Sequence, residues 1–448
     1  MSLKKFNLFL NSKIKPFKKT IEVDADKSLS IRSFLISSIS ENISIAKNVL
    51  ESEDVKSTIS ACKKLGVKIR RIKPGYYKIF GKGLGSFMSR KSNCLNLGNS
   101  GTLARLLIGI LSTTPNIKIK LIGDHSLNKR NMKTLINLMT KFGTSFFPKN
   151  KYYFPLKLVS SEMPLGIDYK AGVSAQLKSA VILAGLNCYG NTTIIEQTRS
   201  RDHTENLLKN NIEAVKIING RKKIIKVFGK KKLKQIDINI SGDPSSAAFF
   251  TTLTLLNPNS SLKIKNVGLN STRIGFYKIL KKQKAKIRFI NLKNENNEIS
   301  GDIIVHSSKL KPFNTPASLY PSTTDEYLLL FLIAGLQHGT STFKGISDLA
   351  NKESSRAHEM KKILNQIGIK SILRKNEMKI FGYGMIDAKS KKINVENLGD
   401  HRIAMCGFLL AILTNAETNI KNFETVFTSS PSFLKIMKNL GAKYEIKK

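Results

Sequence analysis

The chain has 448 residues, 41% of them hydrophobic, which is enough for a large core and for two or three domains. Its 75 Lys and Arg against 31 Asp and Glu give a formal charge of +44, but the lysines run along the whole length beside Asn and Ile, with no basic tail. A solvated basic surface that attracts small polyanions accounts for them better than a specific nucleic-acid partner.

The longest apolar runs, 327–336 and 403–413, fall short of the roughly 18 residues of a membrane span, so no membrane partner is expected. Cys62, Cys94, Cys188 and Cys406 stand too far apart for zinc-ligand spacing or a disulfide framework. Reduced thiols and a basic N-terminus without a small-residue cleavage site point to a cytoplasmic chain with no signal peptide.

In chain order, the pattern predicts a strand at 20–23 and then a helix opened by Lys27-Ser28-Leu29-Ser30-Ile31-Arg32, with Ser28 able to cap it. A strand at 94–97 enters Gly98-Asn99-Ser100-Gly101-Thr102, and Leu103, Leu106, Leu107, Ile110 and Leu111 mark the apolar face of the next helix. Glycines let a backbone approach an anion, and a new helix aims unpaired N–H groups and its positive dipole end at it. Thr102 adds a hydroxyl, and Arg105 adds a two-pronged donor for phosphate or carboxylate. An ordinary capped strand-turn-helix joint explains the same residues equally well.

Further along, Arg130 lies in GDHSLNKR, and Ser174-Ala175-Gln176-Leu177-Lys178 leads into an apolar helix through Leu186. Arg201-Asp202-His203-Thr204-Glu205 starts another helix, and Gly242-Asp243-Pro244-Ser245-Ser246 opens an apolar one over 247–256, near the middle of the chain. Asp325-Glu326 heads the helix 327–336, Lys352-Glu353-Ser354-Ser355-Arg356 the next, and Asp400-His401-Arg402 the last apolar one. Singly, each reads as a charged helix cap. Converging, they would make a cationic pocket with a few carboxylates inside, suited to a substrate with two or more anionic groups and to acid/base chemistry.

An amphipathic helix, a small residue and a short basic strand recur in SACKKLGVKI, INLMTKFGTSF, NLLKNNIEAVKI, FYKILKKQKAKI, MKKILNQIGIKS and FLKIMKNLGAKY. Their central residues, Gly66, Gly143, Ala214, Lys284, Gly368 and Gly441, lie roughly 70–84 residues apart, which predicts duplication of one mixed α/β unit. The small residue suits a helix C-cap with positive φ. Six units divide naturally into two domains of three.

The ordered motifs DKSLSIR, LGNSGTLAR, GDHSLNKR, SAQLK, RDHTE, GDPSSA, NSTR, DEY, KESSR and DHRIAM resemble the 5-enolpyruvylshikimate-3-phosphate synthase family, the shikimate-pathway enolpyruvyl transferases, over essentially 20–448. SAQLK, RDHTE and NSTR are similar to the subgroup that includes glyphosate-tolerant enzymes. The resemblance implies two inside-out α/β domains, each of three repeated mixed α/β units, closing on substrate, with the active site in the interdomain cleft. Residues 1–25 with 242–448 would form one domain and 26–241 the other.

The resemblance also implies that shikimate 3-phosphate is held by Lys27, Ser28, Arg32, Ser174, Ala175, Gln176, Arg201, Asp325 and Lys352. Phosphoenolpyruvate would be held by Lys27, Asn99, Gly101, Thr102, Arg105, Arg130, Gln176, Arg356 and Arg402. Asp325, Glu353 and Lys27 would be the catalytic acid and base groups, in a monomer that uses no metal or organic cofactor.

The chain departs from the family at Ala25-Asp26 before the first lysine, at Asn131 in place of a proline, and at Ser355 in place of an aspartate beside Arg356. Glyphosate-tolerant relatives carry alanine where Gly101 stands, and sensitive ones commonly carry proline where Leu106 stands. The related UDP-N-acetylglucosamine enolpyruvyl transferases are the nearest alternative, but they prefer asparagine where Ser28 stands and typically carry a mobile-loop cysteine. A basic nucleic-acid-binding protein is the alternative of another class.

Overall fold

A helix that is apolar on every side must be buried on every side. In the computed structural model, which describes residues 5–89, 94–396 and 398–447, the helices Pro244–Leu256, Tyr327–Gly335 and His401–Thr414 are buried at every residue. Lys27–Ile39, Gly101–Thr113 and Ala175–Gly185 are buried throughout except at Lys27, Ser28, Arg105, Ala175, Gln176 and Leu177. The residues left uncovered on these otherwise buried helices are therefore nearly all candidate ligand groups.

The chain divides into two compact units. One comprises Met1–Asp24, Ser241–Lys293 and Ile299–Lys448; the other comprises Ala25–Ile240 and Asn294–Glu298. Each has its own hydrophobic core. Among the described residues the strands form six four-stranded sheets, three in each unit.

The duplicated unit is clearest at 168–228. Strand Asp168–Ala171 leads through the buried helix Ala175–Gly185 to the parallel strand Asn191–Glu196. A short helix, His203–Leu208, then precedes the hairpin Val215–Ile218 and Lys223–Phe228, whose second strand pairs antiparallel with Asn191–Glu196. A sheet thus covers an apolar helix, so helices form the inside and sheets the outside.

Two sheets are completed by strands distant in sequence. Lys18–Glu22 lies parallel to Ser261–Gly268, and Ile238–Asn239 lies parallel to Ile43–Lys47. The N-terminal strand Asn7–Leu10 pairs with both Glu417–Ile420 and Glu445–Lys447 near the other end of the chain.

Gly66, Gly143, Lys284, Gly368 and Gly441 have φ of +91°, +91°, +61°, +87° and +100°, as a left-handed helix cap requires. Ala214 differs from the expectation. Its helix stops at Leu208, so the turn reaching Ala214 needs no left-handed residue there. The cap of the first buried helix also differs: Asp26, not Ser28, accepts the Leu29 N–H, at 2.9 Å, which leaves the Ser28 hydroxyl outside the cap. Among the described residues no helix is long and apolar enough to cross a membrane.

Candidate active site

In the unit 25–240, the candidate anion loop starts the helix Gly101–Thr113, with Ser100 as its cap accepting the Leu103 N–H. Arg105 reaches back one turn: Nη1 donates to the Gly101 carbonyl at 3.1 Å and to Gln176 Oε1 at 2.9 Å. Gln176 Nε2 in turn donates to Thr102 Oγ1 at 3.0 Å. Arg130 Nη2 donates to Asn99 Oδ1 at 2.5 Å. Asn99, Gly101, Thr102, Arg105, Arg130 and Gln176, expected on sequence to share one ligand, therefore form two bonded sets that meet at Gly101, where both guanidinium groups come close. Together they combine two guanidinium groups with the N-terminus of a buried helix, where an anion is favoured.

Ser174 caps the helix Ala175–Gly185 through the Leu177 N–H, so Ser174, Ala175 and Gln176 stand together at that helix start. Lys27 Nζ lies 3.0 Å from Asp54 Oδ2. Arg32 is only 3% exposed. Its Nε donates to Thr204 Oγ1 at 2.9 Å, Nη1 to the Ser28 carbonyl at 3.1 Å and Nη2 to Ser179 Oγ at 3.3 Å. It ties three segments that carry candidate residues to one another. Arg201 is half-buried just before the helix His203–Leu208.

In the other unit the centre is Arg356, 2% exposed and first in the helix Arg356–Gln366. Its Nε lies 2.9 Å from Asp400 Oδ2, Nη2 lies 2.6 Å from Glu353 Oε2, and Nη1 lies 3.4 Å from Asp325 Oδ1. Burial works against the guanidinium charge, but Asp400, Glu353 and Asp325 outweigh it and hold the pKa well above the usual arginine value. Arg402 Nη1 donates to the Asp325 carbonyl oxygen at 3.1 Å. Lys352 sits beside this group but is paired with Asp348 at 2.6 Å.

Two guanidinium groups here face three carboxylates, so this cluster taken alone is not the cationic pocket expected from the sequence. The family's aspartate at the place of Ser355 is missing, and Arg356 takes its carboxylate contacts from Asp400, Glu353 and Asp325 instead. Asn131, standing where the family has proline, accepts the Lys133 N–H at 2.8 Å.

Sequence reasoning missed Asp400 as a working residue and read it as the opening of a helix. It is that: its side chain accepts the Arg402 N–H at 3.0 Å, and it also accepts from Ser354 Oγ at 3.0 Å. Asp54 and Thr204 were likewise missed. In RDHTE and GDPSSA, the motif signal marked side chains that fasten helix starts. Arg273 of NSTR donates to Asp243 Oδ1 at 3.1 Å and to Ser245 Oγ at 2.9 Å, and Ser245 Oγ bonds Glu326.

The family model described as EPSP synthase (3-phosphoshikimate 1-carboxyvinyltransferase) matches residues 11–437. The 3-phosphoshikimate 1-carboxyvinyltransferase of Zymomonas mobilis subsp. mobilis is 35% identical over 443 residues, covering 98% of this chain and 97% of that protein. The protein of the same name from Petrotoga mobilis is 36% identical over 424 residues, covering 94% and 96%.

Among solved structures, an EPSP synthase from Acinetobacter baumannii superposes with a TM-score of 0.85 at 31% identity, covering 99% of this chain and 100% of that one. The enolpyruvyl transferase NikO from Streptomyces tendae, with a TM-score of 0.74 at 13% identity, shares the fold. Taken with the near-complete overlap in length, these likenesses establish that the chain belongs to the EPSP synthase family and that its activity is transfer of the enolpyruvyl group of phosphoenolpyruvate to shikimate 3-phosphate.

Proposed function

We propose the following division of labour for that reaction. Ser28, Arg32, Ser174, Ala175, Gln176, Arg201, Asp325 and Lys352 hold shikimate 3-phosphate. Asn99, Gly101, Thr102, Arg105, Arg130, Gln176, Arg356 and Arg402 hold phosphoenolpyruvate, and Lys27 touches both. The 5-hydroxyl of shikimate 3-phosphate gives up its proton to a base and adds to C2 of phosphoenolpyruvate while C3 takes a proton from an acid. The tetrahedral adduct then gives up the C3 proton and expels phosphate.

Asp325, Glu353 and Lys27 exchange these protons. The observation that carries the assignment is the bonding of one buried guanidinium, Arg356, to both Asp325 and Glu353. An anion arriving at Arg356 competes with those carboxylates for its N–H groups. A carboxylate that loses a cationic partner holds a proton more readily, which is what a general acid needs. In the other unit, Arg105 and Arg130 supply fixed donors for the charge that leaves with the phosphate.

We place the enzyme in the cytoplasm as a monomer. Burial of Cys62, Cys188 and Cys406 as thiols supports a reducing compartment. A coupled phosphate-release assay tests the reading, with phosphoenolpyruvate and either shikimate 3-phosphate or UDP-N-acetylglucosamine as acceptor. Turnover with shikimate 3-phosphate alone is expected, and turnover with the sugar nucleotide alone would overturn it. Sedimentation of the pure protein at the mass of one chain is the expected outcome for the monomer.

A further inference from the structure

Lys178, on the helix Ala175–Gly185, is the one polar residue of SAQLK to which the family reading gives no task. Its side chain is fully buried. Nζ lies 2.7 Å from Glu196 Oε1 and 2.7 Å from Glu205 Oε1, both on side chains that are also fully buried. Burial works against the ammonium charge, but attraction by Glu205 and Glu196 outweighs it, so the pKa is held above the usual lysine value. The pair is matched on the other side: burial disfavours the Glu205 carboxylate, and Lys178 and Lys223 hold its pKa below the usual value.

The two carboxylates bracket the segment that carries Arg201. Glu196 ends the strand Asn191–Glu196, and its Oε1 also accepts the Ser200 N–H at 2.7 Å and the Ser200 hydroxyl at 2.6 Å. Glu205 lies in the helix His203–Leu208 and is also held by Lys223 Nζ at 3.2 Å. A single ammonium therefore fixes both ends of the 196–205 stretch to the helix that begins with Ser174, Ala175 and Gln176. One residue further on, Ser179 Oγ receives Thr204 Oγ1 at 2.8 Å and Arg32 Nη2 at 3.3 Å, which brings Arg32 into the same frame.

We infer that Lys178 is a positioning residue for shikimate 3-phosphate, bracing Arg201 against Ser174 and Gln176 through Glu196 and Glu205. The inference rests on the ligand assignment proposed above. It differs from a general stabilising role in its specificity. The phosphoenolpyruvate groups Gly101, Thr102 and Arg105 stand at the start of a different helix; Gln176, which both substrates share and which bonds Arg105 and Thr102, stays on a helix buried from Lys178 to Gly185, so the segment that depends on Lys178 is the one carrying Arg201.

Lys178→Met alone takes the ammonium from buried Glu196 and leaves Glu205 to Lys223, and it is expected to fold poorly. The decisive variant is Lys178→Met with Glu196→Gln. It removes one cation with one anion, keeps the Lys223–Glu205 pair, and leaves an amide oxygen to receive Ser200. The expected result is a KM for shikimate 3-phosphate raised about tenfold or more, since a small misplacement of a binding group has effects on that scale. The same loss should appear in the dissociation constant of shikimate 3-phosphate measured by calorimetry without phosphoenolpyruvate, whose own KM changes by less than about threefold.

Equal losses for the two substrates, wild-type affinity for shikimate 3-phosphate, or failure of the balanced double variant to fold would each overturn the inference, the last by showing a folding role only. The wild-type protein is assayed beside it. If the wild type does not use shikimate 3-phosphate, the ligand assignment falls. If the wild type turns over and the variant binds normally, the role of Lys178 alone falls.

Discussion

Asp400 grips Arg356 through a 2.9 Å contact between Oδ2 and Nε, in a place where the carboxylate is wholly buried and the guanidinium nearly so. The same carboxylate receives the Arg402 N–H and starts the helix His401–Thr414. One acidic side chain thus sets the position of both arginines assigned to phosphoenolpyruvate in this unit. Removing one partner of a buried ion pair leaves the other charge uncompensated, which typically costs about 3 kcal/mol or more. Asp400→Ala is expected to lower the unfolding free energy in urea by about that amount and to raise the KM for phosphoenolpyruvate. A loss below about 1 kcal/mol would mean that Glu353 and Asp325 suffice to neutralise Arg356.

Glu353 and Asp325 carry the proposed proton transfers, so Glu353→Gln and Asp325→Ala should each lower kcat by about 100-fold or more while both substrates still bind. The amide of Glu353→Gln can still accept from Arg356 Nη2, so this variant tests the proton and not the contact. Near-normal kcat in both variants would remove the two carboxylates from the mechanism.

What the sequence made legible was where helices start. Glycine, Ser/Thr caps and the onset of apolar periodicity are local signals, and they located GNSGT, SAQLK, DEY and DHR at the ends of buried helices. Partner choice across space was not legible. Arg32 reads from its own neighbours as a charged residue at a helix start and from the family resemblance as a ligand group, but neither reading places it, 3% exposed, between Thr204 and Ser179, more than 140 residues away along the chain. Lys178 reads as part of the polar lead into an apolar helix, because its carboxylates come from a strand end and a later helix. Asp26 and Ser28 are equally good cap residues, and only the backbone path decides for Asp26.

Away from the candidate site, Glu51 is chelated by Arg71, with Nε at 2.7 Å from Oε1 and Nη2 at 2.6 Å from Oε2, and it also accepts from Tyr77 and from the Gly75 N–H. The Arg71 hydrogen bonds lead in bringing the Glu51 pKa from 4.5 down to about 2. A carboxyl with a depressed folded-state pKa stabilises fully above its unfolded value, and the contribution fades as pH falls from about 4.5 to about 2. Because Glu51 is 29% exposed, solvent screening limits the effect to about 1 kcal/mol. The pH dependence of the urea midpoint should flatten in this window in Glu51→Gln, and an unchanged slope would show that ionisation of Glu51 contributes nothing to stability there.

Gly101 is where affinity for phosphoenolpyruvate and for glyphosate should separate. A methyl placed there would lie 2.8 Å from Arg105 Nη1 and 2.8 Å from Arg130 Nη1. Both atoms are the ends of flexible side chains, so the variant folds, but both guanidinium groups must shift, Arg105 at the nitrogen that bonds Gln176 and Arg130 at the nitrogen beside the one that bonds Asn99. Leu106, which stands where sensitive relatives commonly carry proline, is fully buried in the core and acts on this corner only through the backbone. The direct contact at Gly101 therefore dominates, and the natural enzyme is expected to be sensitive or intermediate, with inhibition competitive against phosphoenolpyruvate. Gly101→Ala should raise the glyphosate inhibition constant about tenfold or more, the range that a single methyl group commands in a shaped pocket. The KM for phosphoenolpyruvate should rise less, because the shorter ligand tolerates the displaced arginines better. Full tolerance in the natural enzyme, with no change in Gly101→Ala, would show that Gly101, Arg105 and Arg130 do not shape the inhibitor's place.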